Sequence, residues 1–589
     1  MKIRWLPSAA LLAICLAGPA TAAAPPESFV RPPDPAATAR TLARLETLGP
    51  EAAETKLWVF FTDKGFFDRT SYEAALERFA AGIDMHAAAR RAKTFGASLG
   101  GFHDLPVHPT YRAALERLGA TVLRESRWLN AVSSRAPLDA GRAVAARPFV
   151  REIAFVRSGR SIRPIPGDAS APPARNRVRS FDYGPSFDQL EEIGVPMVHD
   201  LGYSGAGVVV AMLDTGYQRD HQAFARILSE GRLLDQWDFI DDDGETQNEP
   251  GDPDGQDLHG TATWSILAGF EEGELIGPAY GASFLLAKTE DITDETPIEE
   301  DNWVAAMEWA DEYGADVLSS SLSYIDWYQY SDMDGDTAVT SVAADVAASR
   351  GIVVCTSMGN WGTQDWYYMG APADADSVIS VGATRPDGGV WDDSSHGPTY
   401  DGRIKPEVCA RGDETYGAWP IDLGGPYRTL SGTSVSCPLV AGCAALILEV
   451  YPDWTAMQVR EALMTTADNA GAPNNDRGWG RIDVNEAIGG ATDAPDVPPT
   501  AALRILAAPN PSVAGTEVRL RLPDPTGSVT LFSAGGKRLR RLDDPAGAGG
   551  GILWDGRDES GDPLPPGVYF VRWRSGGETA STKLIRSTR

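Results

Sequence analysis

The sequence predicts an α/β protein: a three-layer domain on a parallel sheet, with a small α+β module before it and a β-sandwich after it. Three observations carry this. Between residues 180 and 488 short apolar runs alternate with helical stretches. Two Pro-rich linkers set that region apart, and its flanks follow other periodicities. A chain of 589 residues also exceeds what one ordinary hydrophobic core holds.

The first residues, MKIRWLPSAALLAICLAGPATAAA (1–24), put Lys2 and Arg4 ahead of an apolar run and end on small residues around Thr21 to Ala24. The run is shorter than the roughly 20 residues a bilayer span needs. It reads as a cleaved secretion signal, so the mature protein is expected to be soluble and secreted, extracellular or at the cell surface. Residues 56–157 follow a β-α-β-β-α-β order: KLWVFFT, the helix TYRAALERLGA, TVLRES, WLNAVSSRA, the helix LDAGRAVAARP and FVREIAFV. A separate helical insertion falls around Tyr72 to Ala92. Residues 158–179, SGRSIRPIPGDASAPPARNRVR, lack apolar periodicity and read as an exposed, easily cut linker.

The central region, 180–488, carries GVVVAMLD, ASFLLAK, ADVLSSSL, GIVVCTS and SVISVGA, runs suited to a buried parallel sheet. Helices alternate with them, two ending at Gly314 and Gly351 and a third opening on a Thr455/Gln458 capping box. A second linker, 489–504, precedes a tail, 505–589, in which TEVRLRL and SVTLFS alternate at the strand period, implying a small β-sandwich.

The net charge of −30 repels phosphate backbones and anionic lipid, so nucleic acid is excluded as an expected partner. Cys15 leaves with the signal. Cys355, Cys409, Cys437 and Cys443 lack a zinc-like CxxC pair, and both disulfides and buried free thiols stay open for them. Acidic clusters at Asp241–Glu245, Asp252–Asp257 and Asp332–Asp336 could offer oxygen ligands to calcium, but none has the full EF-hand spacing and each also reads as a solvated loop. The metal ligands are thus unassigned, and no cofactor is required by any motif.

Asp214 ends GVVVAMLDTG, His259 begins HGTATWSILAG, and Ser434 lies in LSGTSVSCPLVAGCAALI. Each occurs where a strand ends or a helix starts, the edge of a parallel sheet on which sites form. A serine hydroxyl needs a base to take its proton and a third group to orient that base, roles that His259 and Asp214 can fill. Taken singly, Ser434 would read as a helix cap, His259 as a core histidine and Asp214 as a turn former. Their joint occurrence favours catalysis. On this reading Ser434 lies just before a Cys437–Val450 helix whose first turn holds Pro438, and its own N–H faces a developing oxyanion.

These blocks, in the order Asp, His, Ser, with SSHGPTYDGRIKPEV at 394–408, resemble the subtilisin-like serine proteases. The resemblance spans residues 180–488. It implies a secreted endopeptidase acting on polypeptides through an Asp214-His259-Ser434 triad and an acyl-enzyme. It implies an oxyanion donor at Asn360 in VVCTSMGN, a residue that alone would pass for a turn former. It also implies a substrate-pairing strand at Ser321, Leu322 and Ser323.

The sequence departs from the family pattern at four positions. Ser323 and Tyr324 replace glycines, which narrows the primary specificity pocket or merely marks a surface loop. Ala262 and Leu439 replace histidines outside the triad, which motivates the alternative of an inactive surface-binding protein that kept the fold.

Residues 56–157 resemble the family's prodomain, an intramolecular inhibitor removed by self-cleavage between residues 158 and 180. The tail, PNPSVAGTEVRLRL…WDGRDESGDPLPPGVYFVRW, resembles Ig-like domains of the flagellar hook-cap type and C-terminal sorting domains, which suggest contact with secretion machinery, attachment to the cell surface, or simple stabilisation.

Overall fold

The N-terminal module begins earlier than the periodicity predicted, in a helix α1 (Pro35–Leu48) that puts Leu45 into the module's apolar core with Leu57, Val59, Val132 and Ile153. The computed structural model describes residues 35–587 apart from 49–54, 67, 96–98, 157–164, 167–179, 293–298, 327, 421–424, 491–505 and short stretches beyond 508. The secretion-signal reading of residues 1–24 lies outside the described residues.

After α1 come β1 (Lys56–Phe61), α2 (Arg69–Gly82), α3 (Met85–Phe95), α4 (Pro109–Arg117), β2 (Thr121–Ser126), β3 (Ala131–Arg135), α5 (Leu138–Ala145) and β4 (Val150–Phe155). The strands form one antiparallel sheet, ordered β2-β3-β1-β4. Helices α2 and α3 are the inserted pair. Asp68 caps the first through Ser71 N at 2.8 Å, and Asp84 accepts from His86 N and Ala87 N at 2.8 and 3.1 Å ahead of the second.

A two-residue strand β5 (Ile165–Pro166) follows, then the central domain: β6 (Val209–Asp214), β7 (Leu233–Asp238), α6 (Leu258–Ala268), β8 (Ser283–Lys288), α7 (Glu299–Glu312), β9 (Val317–Ser320), α8 (Val339–Ser349), β10 (Val353–Ser357), β11 (Ile379–Thr384), β12 (Val408–Arg411), β13 (Tyr427–Ser431), α9 (Thr433–Val450) and α10 (Ala456–Thr465). Seven strands make one parallel sheet in the order β12-β11-β10-β9-β6-β8-β7. The chain leaves β6 toward one edge, returns through β8, and then crosses to place β9 on the other side of β6. That reversal opens a crevice at the carboxyl ends of β6 and β9, where ligands of such sheets bind.

Alternate strand residues face two apolar clusters. One, with Met212, Phe284 and Val381, covers α6 and α9; the other, with Leu213, Leu318 and Val354, covers α7 and α8. Helix α9 is long and apolar enough to cross a membrane, yet it is buried within the fold as the core helix.

The second cluster also takes in Trp58, Phe60 and Trp128 of the N-terminal module, packed with Trp303, Val304 and Met307 of the central domain. Around this apolar contact the charges are buried too. Lys56 Nζ lies 3.1 Å from Asp301 Oδ1, and Ser133 Oγ donates to Asp301 Oδ2 at 2.5 Å. The inserted α3 reaches the far ends of α7 and α8. There Arg90 donates to the carbonyls of Ala315 and Arg350, helix-end acceptors that lack intrahelical donors, and pairs with Asp311. Arg91 bridges Asp311 and Asp104, and Arg350 meets Asp104 at 3.0 and 3.1 Å.

In the C-terminal region, sheets built from Leu506–Ala508, Val518–Arg521 and Ile552–Trp554, and from Ser512–Val513, Ser528–Ser533, Arg538–Leu542, Gly567–Ser575 and Glu578–Ser587, share a core of Leu520, Val529, Leu531, Trp554, Val571 and Trp573. This is the two-sheet arrangement that the alternation predicts.

Asp311 faces the buried Arg90 and Arg91 and, at 3.5 Å, the partly buried Arg127, so removing it leaves two buried guanidinium groups short of a counter-charge. Asp311→Ala is expected to cost about 3–5 kcal/mol in urea unfolding, the scale of a broken buried ion pair. Arg69→Ala, which breaks an exposed pair with Glu73, is expected to leave the unfolding curve unchanged.

Candidate active site

Asp214 closes β6, and the turn after it meets the start of α6 at unusually short range. A Cβ on Gly260 would stand 2.1 Å from Gly216 O and 3.1 Å from Asp214 Cβ, so only a glycine lets the helix approach this closely. The approach seats His259, one residue earlier, with its Nδ1 2.6 Å from Asp214 Oδ1. The same oxygen accepts Thr215 N at 2.8 Å, and Asp214 Oδ2 accepts Thr263 Oγ1 at 2.9 Å. Both carboxylate oxygens are therefore held, and the imidazole has its Nδ1 committed and its Nε2 free for a reaction partner.

Ser434 enters from the other side. The structure corrects the expected helix start: α9 begins at Thr433, so Ser434 sits within its first turn and Pro438 lies inside the helix. Proline at 438 supplies no N–H to the carbonyl four residues back, which is that of Ser434. Ser321 Oγ fills the vacancy, donating to Ser434 O at 2.8 Å. The N–H of Ser434, among the first helical donors, has no intrahelical acceptor and carries the positive end of the helix dipole.

Asn360 stands across from it. Its Oδ1 accepts Thr433 N at 2.9 Å and Thr433 Oγ1 at 2.8 Å, which turns its Nδ2 the other way. Thr433 Oγ1 also accepts Gly359 N at 3.0 Å. A Cβ on Gly432 would lie 3.0 Å from Ser434 Oγ and 3.1 Å from Asn360 Nδ2, so the empty side-chain position of Gly432 is the space that hydroxyl and amide share. Ser434 Oγ and His259 Nε2 are both buried with no hydrogen-bond partner among the described residues. Hydroxyl and amide donor thus share one space, and the imidazole keeps an uncommitted Nε2, the kinds of group that acyl transfer requires.

The sheet ladder stops at Ser320, and Ser321, Leu322 and Ser323 run on past the edge beside Ser434, with Ser323 Oγ on Ser357 O at 3.1 Å. Ala262 and Leu439 are fully buried in the apolar cluster under α6 and α9, so the two substitutions supply packing surface. Thr263 and Thr433 went unnoticed in the sequence. The signal for the first was its i+4 spacing from His259 on one helical face, and for the second its place beside Ser434.

The four cysteines are free and buried, and burial pushes the thiols of Cys409 and Cys437 up to about 12, which makes them inert packing groups. Several carboxylates of the acidic clusters are engaged within the protein. Asp252 serves Lys288 at 3.0 Å, Asp242 serves Arg124 at 3.0 Å, and Asp334 caps Asp336 N and Thr337 N. No group of three or more ligating side chains among the described residues is arranged around a metal position.

Comparison with known proteins matches residues 205–480 to the subtilase family and residues 56–170 to the peptidase S8 propeptide domain of Bacteroidota. Subtilisin DY of Bacillus licheniformis is 32% identical over 289 residues, 48% of this chain and 93% of that protein. Subtilisin E of Bacillus subtilis is 31% identical over 301 residues, 51% of this chain and 69% of that protein. Among solved structures, fervidolysin from Fervidobacterium pennivorans, described as a keratinolytic enzyme related to subtilisin, covers 88% of this chain and 70% of its own at a TM-score of 0.52 and 18% identity.

The Gly260 contact can be tested on stability alone. Gly260→Ala is expected to lower urea stability by about 1–3 kcal/mol through overpacking against Gly216. Gly471→Ala, where an added Cβ meets nothing within 4 Å, is expected to stay within about 0.5 kcal/mol of the parent.

Proposed function

The chain belongs to the subtilase family of serine endopeptidases, and from that premise we propose that Asp214, His259 and Ser434 are its catalytic triad and that it is secreted as a self-processing precursor. His259 Nε2 takes the proton of Ser434 Oγ as that oxygen attacks a peptide carbonyl. Asp214, bonded to Nδ1, holds the imidazole in the productive tautomer and stabilises its charged form. The carbonyl oxygen, turning negative, is received by Asn360 Nδ2 and Ser434 N–H. His259 then returns the proton to the leaving amine, and water resolves the acyl-enzyme by the same route. The 2.6 Å bond between His259 and Asp214, with both carboxylate oxygens anchored, is the observation that supports this most directly.

Ser321, Leu322 and Ser323 would pair with the substrate main chain as an added strand. Self-processing is supported from two sides. With the N-terminal module attached, Asp214, His259 and Ser434 are 1, 2 and 0% exposed. Strand β5 pairs antiparallel with β13, Ile165 opposite Ser431 and Pro166 opposite Leu430, only three residues ahead of Ser434. Part of the linker is therefore already bound as a peptide beside the nucleophile. The module acts as the intramolecular inhibitor until it is cut, and the C-terminal sandwich serves export or surface attachment.

Three outcomes are expected. The precursor with Ser434→Ala keeps its junction intact on incubation, while the parent chain is cut between residues 158 and 180, read by N-terminal sequencing; cutting of the pure Ser434→Ala chain would rule out self-processing. Asn360→Ala lowers kcat by about 10²–10³, the range known for loss of this donor from a subtilisin. Thr433→Val lowers kcat with KM little changed, because it removes one of the two hydrogen bonds that hold the Asn360 amide, and Thr433→Ser restores most of the loss.

A further inference from the structure

Resting on the reading above, we propose that Trp361 and Ser323 shorten the pocket for the residue on the N-terminal side of the scissile bond, so that this peptidase cuts after alanine or glycine and rejects large side chains there. The place of that pocket follows from the oxyanion site. A carbonyl oxygen received by Asn360 Nδ2 and Ser434 N–H leaves the side chain of its own residue one carbon further on, beside the turn that carries Asn360. The substrate-pairing segment Ser321–Ser323 runs along the opposite flank. The side chain therefore enters between the continuations of β9 and β10, which are paired as far as Ser320 and Thr356.

Four residues meet in that gap. Ser323 is 2% exposed, so it does not mark a surface loop, and its Oγ crosses the gap to Ser357 O at 3.1 Å. Tyr324 N donates to Ala371 O at 2.8 Å and Ala371 N to Tyr324 O at 3.1 Å, a bridge that sets Gly370 against Ser323. A Cβ on Gly370 would lie 3.1 Å from Ser323 Cβ and 2.9 Å from Trp361 Cζ3. A Cβ on Gly359, whose φ of +99° itself calls for glycine, would run into the same Cζ3 and into Cε3. One edge of the indole therefore takes up the room that both glycines leave, on the side that Ser323 also closes.

The ring is held in place. Trp361 N donates to Ser395 Oγ at 3.0 Å, Ser395 N donates to Gly359 O at 2.9 Å, and the tryptophan is 9% exposed. A leucine or phenylalanine side chain entering the gap has to displace this pinned ring, whereas a methyl group or a hydrogen does not. Ser323, Gly359, Trp361 and Gly370 carry no charge, and Ser323 Oγ is engaged by Ser357 O, so the residues that meet there offer no counter-charge to a lysine, arginine or acidic side chain.

The test uses the processed enzyme, unfolded casein, and quenched peptides of one common sequence in which a single residue is Gly, Ala, Leu or Phe, with every cut located by mass spectrometry. For the cut after that residue, kcat/KM of the alanine peptide is expected to exceed that of the phenylalanine peptide about tenfold or more, the scale on which a pocket discriminates by size. Trp361→Ala is expected to bring this ratio below about threefold and Ser323→Gly to lower it in the same direction, and the ratio is independent of how much variant is active. Cutting after leucine or phenylalanine as fast as after alanine, in the peptides or in casein, overturns the proposal and leaves the protease assignment standing, as does a ratio that neither variant changes. Failure to cut any peptide or casein overturns the catalytic reading and this proposal together.

Discussion

The close approach of α6 to the turn after β6 is the contact on which the site depends. Two glycines, Gly216 and Gly260, remove the side chains that would keep helix and turn apart, and the space gained brings an imidazole within 2.6 Å of a buried carboxylate. A parallel sheet whose strand order reverses between β6 and β9 supplies the crevice, and the dipole of α9 supplies the donor facing it. Pro438 shows how finely one residue can serve the arrangement. It removes one helical hydrogen bond, and the freed carbonyl of Ser434 is claimed by Ser321, tying the nucleophile to the strand proposed to hold substrate.

The N-terminal module is held by two kinds of contact. Trp58, Phe60 and Trp128 of the module share one apolar cluster with Trp303, Val304 and Met307 of α7. The inserted α3 then extends the grip to the ends of α7 and α8, at the N-terminal edge of the sheet and away from the crevice, through a buried set of arginines and aspartates. Such a set is demanding as a whole, since any missing member leaves a charge stranded. Burial also pushes Glu308, beneath the turn at Ser126 to Trp128, up to about 7, with Arg127 and Ser126 pulling the other way.

Much of this was legible because local signals agreed. The apolar runs ending at Asp214, Ser320 and Ser357 are β-branched and bounded by turn residues, and they became neighbouring strands of one sheet. The Thr455/Gln458 capping box formed as spaced, with Gln458 Oε1 on Thr455 N at 2.9 Å. What escaped depended on distant partners. The helix at Pro35–Leu48 forms against β4 and α5, partners that the local sequence does not encode. The start of α9 was read at Cys437 because Pro438 resembles a first-turn proline, whereas Gly432 opens the helix and Ser321 compensates the proline. Within the acidic clusters, Asp252 pairs with Lys288, Asp242 with Arg124 and Asp334 with a backbone amide, partners that the local sequence does not name.

The central claim is that one hydroxyl is made reactive by one imidazole held by one carboxylate. Reaction of the processed enzyme with a fluorophosphonate, followed by peptide mapping and by rates for Asp214→Asn and His259→Ala, tests it most directly. The account predicts a single adduct on Ser434, forming about 10⁴ times more slowly in Asp214→Asn and more slowly still in His259→Ala, as loss of a triad member implies. An adduct on another residue, or a rate on Ser434 that survives loss of His259, would contradict it.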